Sequence, residues 1–420
     1  MPRTILHCDC NSFYASVETV LDPSLADGPM AVCGDPDSRH GIILAKNEPA
    51  KAFGVKTAET VWQARRKCPE LRLVPPHRDE YVRYSRRANR LYLEYTDLVE
   101  PFGIDESFLD VTGTLHLFGS GKEIADALRR RMREELGLTI SVGVSFNKAF
   151  AKLGSDYKKP DATTLLPPDA YRDILWPLPV GALLYAGPKA QQKLHLLGID
   201  TIGQLAAADP AGLHALLGKL GDTLGAYARG EDRDPVRSFY AEHTVKSVGK
   251  GMTFAHNLTL MEEIRLQVMM LCDNVGSRLR AHHLKCQTVQ VLLRDTDFRN
   301  MSRQTTLDTP TDSTRQITET ALSLIARHWK AGKPIRMITV TAASLLAPDE
   351  AGEQLSLFDA GAAERREKQA KLDAIREQMA AKQNAKENRK HLKAARKEAR
   401  KEDKAYKNHR DEQRKLAGIK

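Results

Sequence analysis

The chain has 420 residues, 41% of them hydrophobic, 28% charged and only 6% aromatic, enough for roughly two to four domains that each bury a core. Its net charge of +10 belongs to one end: residues 361–420 carry 20 Lys+Arg against 10 Asp+Glu, and taking these from totals of 64 and 54 leaves 44 of each sign in residues 1–360. There is no apolar leader and no run of about 18 apolar residues, and six cysteines at 8, 10, 33, 68, 272 and 286 show no C-x-x-C spacing. The expectation is therefore a cytoplasmic protein, neither secreted nor membrane-inserted, with reduced core thiols.

In chain order, "TILHCDC" predicts a short strand, and a helix follows with Asn11 or Ser12 as its cap and Phe13, Val17 and Val20 on one face. "GPMAVCG" and "GIILAKN" are two more strands joined by a polar loop. A long helix is predicted from Arg78 to Tyr95, then a strand pair in "LVEPFGIDESFLDVTG", a helix over Lys122 to Leu136 and a strand in "LTISVGVS". Strands and helices alternate to about residue 165, which implies a mixed core within an α+β multidomain chain.

Residues 170–233 are rich in Leu, Ala and Gly, with turn signals at Gly187-Pro188, Gly198, Gly203, Gly218 and Gly221, and read as short helices joined by tight turns. "EDRDPVRSFYAEHTVKS" has no period and reads as a linker. A second small α/β unit follows over 245–345, with helices at 261–283 and 311–330 and strands in "CQTVQVLLRD", "RNMSRQTTL" and "IRMITVTAASL". Beyond Pro348 comes a flexible stretch with an apolar island, "QLSLFD", and then a helix-prone charged tail in which Leu372, Ile375 and Met379 form only a brief face.

The chemistry is concentrated in "GIDESFLD". Phe102, Ile104 and Phe108 alternate on one face while Leu109 and Val111 fall on the other, so both faces read as apolar. Asp105 and Glu106, buried side by side, would cost several kcal/mol unless neutralised. Either they reach water at a hairpin tip, or they belong to a divalent-metal site with a third acid. Asp9 is that acid if "TILHCDC" lies beside the hairpin. Such a donor set suits Mg²⁺, and two such ions can activate a 3′-hydroxyl and neutralise a departing pyrophosphate.

"DCNSFYASVE" (9–18), "GIDESFLDVT" (103–112) and "GVSFNKAFAKLGSDYKKP" (143–160), in this order and spacing, resemble the Y-family translesion DNA polymerases, in particular the DNA polymerase IV group. The resemblance spans about residues 3–345 and implies a right-hand architecture. Palm and fingers would occupy 1–165 (fingers about 11–75), a thumb with helix-hairpin-helix-like turns 166–233, a linker 234–244 and a little finger 245–347. A flexible segment, 348–360, and the basic tail, 361–420, complete the chain. By the same resemblance Asp9, Asp105 and Glu106, with the backbone carbonyl of Cys10, hold two Mg²⁺ ions. Tyr14 is the steric gate that excludes a 2′-hydroxyl, with Phe13 beside it under the nucleotide. Lys159 reaches the triphosphate, and Asn147 and Lys148 hold the primer backbone.

One departure stands out. The family's fingers carry a Y-x-A-R pattern whose Tyr and Arg grip the triphosphate, whereas "AKNEPAKAFGVK" places Glu48 at the Tyr position and Lys51 at the Arg position. Lysine keeps the charge and loses the bidentate fork. Glu48 would repel a triphosphate unless it turns away or pairs with Lys46 or Lys51.

The remaining motifs imply partners. "LLYAGPKAQQKLHLLGIDTIGQL" resembles a helix-hairpin-helix, placing Gly187 and Lys189 at a DNA phosphate although Pro188 removes one donor. Gln354, Leu355, Leu357 and Phe358, within 354–359, resemble the peptide by which bacterial polymerases attach to the sliding clamp; each buried apolar side chain there would contribute roughly 1.5 to 3 kcal/mol before ordering costs. The expected protein is a monomeric, low-fidelity polymerase without proofreading, acting on primer-template DNA and dNTPs in bacterial SOS-type repair. The competing reading, prompted by Glu48 and Lys51, is a non-catalytic accessory protein recruited to the clamp.

Overall fold

The first strand, Ile5–Cys10, is buried at every position and is the middle member of a five-stranded sheet. The order is Val99–Pro101, Glu106–Asp110, Ile5–Cys10, Ile140–Ser145, Thr163–Leu166. The computed structural model describes residues 2–36, 41–242, 244–347, 368, 371–375, 378–379 and 382; the expected clamp-binding residues 354–359 lie outside them. Two compact units result, Met1–Glu242 and His243–Lys420.

Strand periodicity sorts the first strand's side chains between two layers. Leu6, Cys8 and Cys10 share a core with Tyr81, Tyr84, Leu91, Ile124, Leu128 and Met132 of the helices Arg78–Leu93 and Gly121–Leu136. The latter helix is delimited as its sequence dictates, by a Ser120–Glu123 capping box and by Gly137 in the left-handed region (φ 67°). Ile5 packs on the other face with Phe108, Ala151 and Val236. His7 and Asp9 share that face.

The helix on this second face, Lys148–Tyr157, lies unusually close to the sheet because Gly143 has no side chain. A Cβ at Gly143 would stand 2.0 Å from the Ala151 carbonyl oxygen and 2.5 Å from the Ser155 nitrogen. Gly143 is also the register partner of His7. The close approach brings Lys152 onto the acids and Ser155 onto His7.

A smaller sheet, ordered Ile43–Lys46, Met30–Cys33, Arg72–Val74, carries the helix Val61–Lys67, started by a Thr60–Gln63 capping box, around Ala31, Ile43, Val55, Val61 and Leu71. Short helices Pro188–His195, Ile202–Ala207, Pro210–Leu217 and Lys219–Ala228 enclose Leu194, Ile202, Leu205, Leu213 and Leu224.

The segment read as a linker is held to the first unit over its opening residues. Arg3 donates to the carbonyls of Asp232 and Asp234, Asp232 accepts from the Ala149 nitrogen, and Glu100 accepts from the Arg237 nitrogen.

In the second unit the strands Asn300–Thr311, Lys285–Asp295, Ile335–Leu346 and Ser247–Leu258 form an antiparallel sheet in that order. Helices Met261–Ala281 and Thr314–His328 share its core through Val268, Leu271, Val275, Ile317 and Ile325. The Ser247–Leu258 strand was not expected from the sequence. In the tail, Leu372, Ile375 and Met379 are exposed whereas Asp373 is buried, 3.6 Å from Arg280.

Candidate active site

Backbone register creates the acidic cluster. Antiparallel pairing sets Asp9 opposite Glu106, and the Cys10 nitrogen donates to the Asp105 carbonyl at 3.0 Å, which ties the hairpin turn to the end of the first strand. The expected strand pair forms, and between its members the nitrogens of Phe102 and Gly103 both donate to the Glu106 carbonyl, leaving residues 102–105 as a turn with Phe102 exposed. The two readings of the acid pair are thus compatible, because Asp105 is on a hairpin turn and that turn abuts Asp9.

Two ammonium groups offset the carboxylates. Lys152 Nζ lies 3.0 Å from Asp9 Oδ2 and 2.8 Å from Glu106 Oε2, and Lys159 Nζ lies 2.8 Å from Asp9 Oδ2 and 2.7 Å from Asp156 Oδ1. Burial and the neighbouring charges of Asp9 and Glu106 raise the Asp105 carboxyl to about 6. Burial acts on Glu106 in the same direction, yet hydrogen bonds from His7 and Lys152 outweigh it and bring that carboxyl down to about 2. Burial opposes the charge on Lys152, but Asp9 and Glu106 prevail and raise it. Two neighbouring acids with opposite shifts mark a site poised to receive further positive charge.

His7 is fully buried beneath the cluster. Its Nδ1 is 2.8 Å from Ser155 Oγ and its Nε2 is 3.4 Å from Glu106 Oε2. Burial lowers its pKa, which favours the neutral ring. Ser155 Oγ also donates to the Lys152 carbonyl at 2.8 Å, so the serine links the imidazole to the helix that carries Lys152. Among the described residues, His7, Asp9 and Glu106 are the acid/imidazole group whose ligand atoms all lie within 4.8 Å of one another. Three carboxylates and a carbonyl are hard oxygen donors and fit a divalent cation.

Above the cluster is a cavity of about 410 Å³, lined by Asp9, Cys10, Asp105 and Lys159 on one side and by Leu44, Lys46, Lys51 and Thr57 on the other. Phe13 and Tyr14 form a wall. Tyr14 is braced by Tyr81, stacked with ring centroids 4.2 Å apart. Ser12, at the start of the helix, has a left-handed backbone (φ 49°) and makes no side-chain cap, so the expected cap is a tight turn instead.

This is a nucleotide-sized cavity floored by acids and walled by an aromatic ring, and residues 8–156 and 245–357 match the impB/mucB/samB family and its C-terminal domain. The chain belongs to this Y-family polymerase group. Its relatives include DNA polymerase IV of Acetivibrio thermocellus, 45% identical over 85% of this chain and 90% of that protein. DNA polymerase IV 1 of Bacillus subtilis is 41% identical over 85% of each. A solved Y-family DNA polymerase chimera, Dbh-Dpo4(243-245)-Dbh, shares the fold with a TM-score of 0.73 at 23% identity, over 82% of this chain and 99% of that one. The Y-family chain is a DNA-directed DNA polymerase of the translesion class, and among its described residues no helix is long and apolar enough to cross a membrane.

Asp9, Cys10, Phe13, Tyr14, Lys51, Asp105 and Lys159 thus meet at one cavity, with Glu106 against Asp9. Asn147 does not join them. It is fully buried, its Oδ1 accepting from the Phe150 nitrogen as a helix cap and its Nδ2 donating to the Gly230 carbonyl. Lys148 is 2.8 Å from Glu100. Gly187 and Lys189 are exposed at the start of the Pro188–His195 helix.

Sequence reading missed His7 and Lys152. Both left a signal: His7 is two residues before Asp9, hence on the same strand face, and Lys152 follows Lys148 by one helical turn.

Proposed function

We propose that this chain extends a primer 3′-end by template-directed transfer of dNMP from dNTP, with two Mg²⁺ ions held by Asp9, Asp105, Glu106 and the Cys10 carbonyl. The observation that carries this reading is the register pairing of Asp9 with Glu106 at the floor of the cavity, with Asp105 clamped alongside. Bound Mg²⁺ supplies Lewis acidity to the 3′-hydroxyl and to the departing phosphates.

The protein groups orient the reaction. The primer 3′-hydroxyl releases its proton to solvent as its oxygen bonds to the α-phosphorus, the bond from that phosphorus to the bridging oxygen breaks, and pyrophosphate leaves with the electron pair. Lys159 and Lys51 hold the triphosphate in line, and Tyr14, fixed by Tyr81, closes the space a 2′-hydroxyl would need. Gly187 and Lys189 offer a backbone nitrogen and an ammonium to a DNA phosphate. Residues 354–359 bind the sliding clamp, and the monomeric enzyme works in the cytoplasm on damaged templates, at low fidelity and without proofreading.

The accessory reading loses its motive, because Glu48 pairs with Lys51 at 2.5 Å rather than confronting the triphosphate alone. The test is primer extension with Mg²⁺ and four dNTPs, comparing the wild type with Asp105→Ala/Glu106→Ala. Extension lost only in the variant supports the reading; a folded, DNA-binding wild type that fails to extend with Mg²⁺ or Mn²⁺ overturns it.

A further inference from the structure

The strand Ile43–Lys46 ends on a lysine that the sequence offers only as a partner for Glu48. Lys46 lines the same cavity as Asp105, Tyr14 and Lys159. Its Nζ donates to Thr57 Oγ1 at 2.8 Å, a neutral partner. Glu48 and Glu59 also bear on it electrostatically, but each carries a nearer cation, Lys51 at 2.5 Å and Lys67 at 2.5 Å respectively. Burial and the neighbouring Lys51 charge both disfavour its charged form. Like charges held together across an open cavity, with a hydroxyl rather than a carboxylate against one of them, are an arrangement that an anion would relieve.

From this juxtaposition we infer that Lys46, steadied by Thr57, is a triphosphate-binding residue of this chain and replaces the grip lost with the Tyr and Arg of the fingers. Resting on the polymerase reading, this assigns the β,γ-phosphates to Lys46 and Lys51 on the fingers side and to Lys159 on the palm side. Glu48 is the counterpart of the exchange: it holds Lys51 while the cavity is empty and yields it to the incoming phosphates. The cavity thus carries Lys46 and Lys51 from one sheet's side and Asp9 and Asp105 from the other, with Lys159 against Asp9.

Two measurements on the full chain separate this inference from the polymerase reading itself. Calorimetric binding of inorganic tripolyphosphate, without DNA, should weaken about tenfold in Lys46→Gln, the loss of one charge-assisted hydrogen bond. It should be largely kept in Lys46→Arg and strengthened in Glu48→Gln, with melting temperatures near that of the wild type. In primer extension Lys46→Gln should raise KM for dNTP more than it lowers kcat and leave DNA affinity unchanged. If a folded Lys46→Gln binds tripolyphosphate as the wild type does, or if its KM is unaltered, the inference is overturned. A wild type that binds tripolyphosphate through Lys46 but extends no primer would instead overturn the polymerase reading alone.

Discussion

Lys152 Nζ lies 2.8 Å from Glu106 Oε2, in a site where it also bridges to Asp9. Both side chains are largely shielded, at 16% and 20% exposure, so the ammonium is a structural counter-charge. Lys152→Met should cost on the order of 3 kcal/mol in the absence of divalent ions, because it leaves carboxylates uncompensated. Added Mg²⁺ should restore more of the melting temperature in the variant than it adds to the wild type. Equal Mg²⁺ responses would show that the lysine does not share the carboxylates' charge with bound metal.

His7 acts through Glu106 as a positioning residue. By the usual effect of groups that orient metal ligands, His7→Ala should lower activity or metal affinity roughly 10- to 100-fold. His7→Gln, which retains a donor, should recover part of it. The readout is the Mg²⁺ concentration for half-maximal extension; a merely structural histidine would alter the melting temperature and leave that concentration alone.

Gly143→Ala should be destabilising by about 1–3 kcal/mol or more, because its Cβ would meet backbone atoms of the Lys148–Tyr157 helix, which have no rotamer to yield. Denaturant unfolding checks the stability. The displaced helix should also lower kcat by moving Lys152 off the acids.

Tyr14→Ala should admit ribonucleotides, with the ratio of dNTP to rNTP efficiency falling while dNTP turnover persists. Single-nucleotide incorporation measures it. An unchanged ratio would assign selectivity to another wall of the cavity.

Glu100 accepts from Lys148 Nζ and from the Arg237 nitrogen. Burial opposes its ionisation, but these hydrogen bonds prevail and hold its carboxyl below the ordinary 4.5. Its stabilising contribution is therefore complete above that ordinary value and fades as pH falls through the lower folded value. The stability difference between wild type and Glu100→Gln should be largest near neutrality and shrink in acid, as followed by urea unfolding across pH.

The sequence was most readable where period and chemistry coincide. The alternation in "TILHCDC" located a strand whose Leu6, Cys8 and Cys10 face the helices, and the acids at 9, 105 and 106 were legible because carboxylates in an apolar setting demand a reason. The Ser247–Leu258 strand was opaque because Gly249 and Gly251 interrupt its pattern; it is held by pairing with Ile335–Leu346. Asn147 caps the Lys148–Tyr157 helix, a use its sequence position allowed but did not single out, because a cap and a phosphate contact call for the same residue type. His7 acquires its role only through Glu106, 99 positions away, and local spacing carries no account of such a partner.

The contact between Gly143 and the Ala151–Ser155 backbone fuses sheet and helix into a single plank, with no side chain as a spacer. The height of the Lys152 backbone above the carboxylates is then set by backbone packed directly on backbone. Leu44 and Lys46 stand on a separate sheet. Substrate preference can thus drift in one part of the molecule while the reaction floor stays level, a division of labour suited to an enzyme that meets irregular templates.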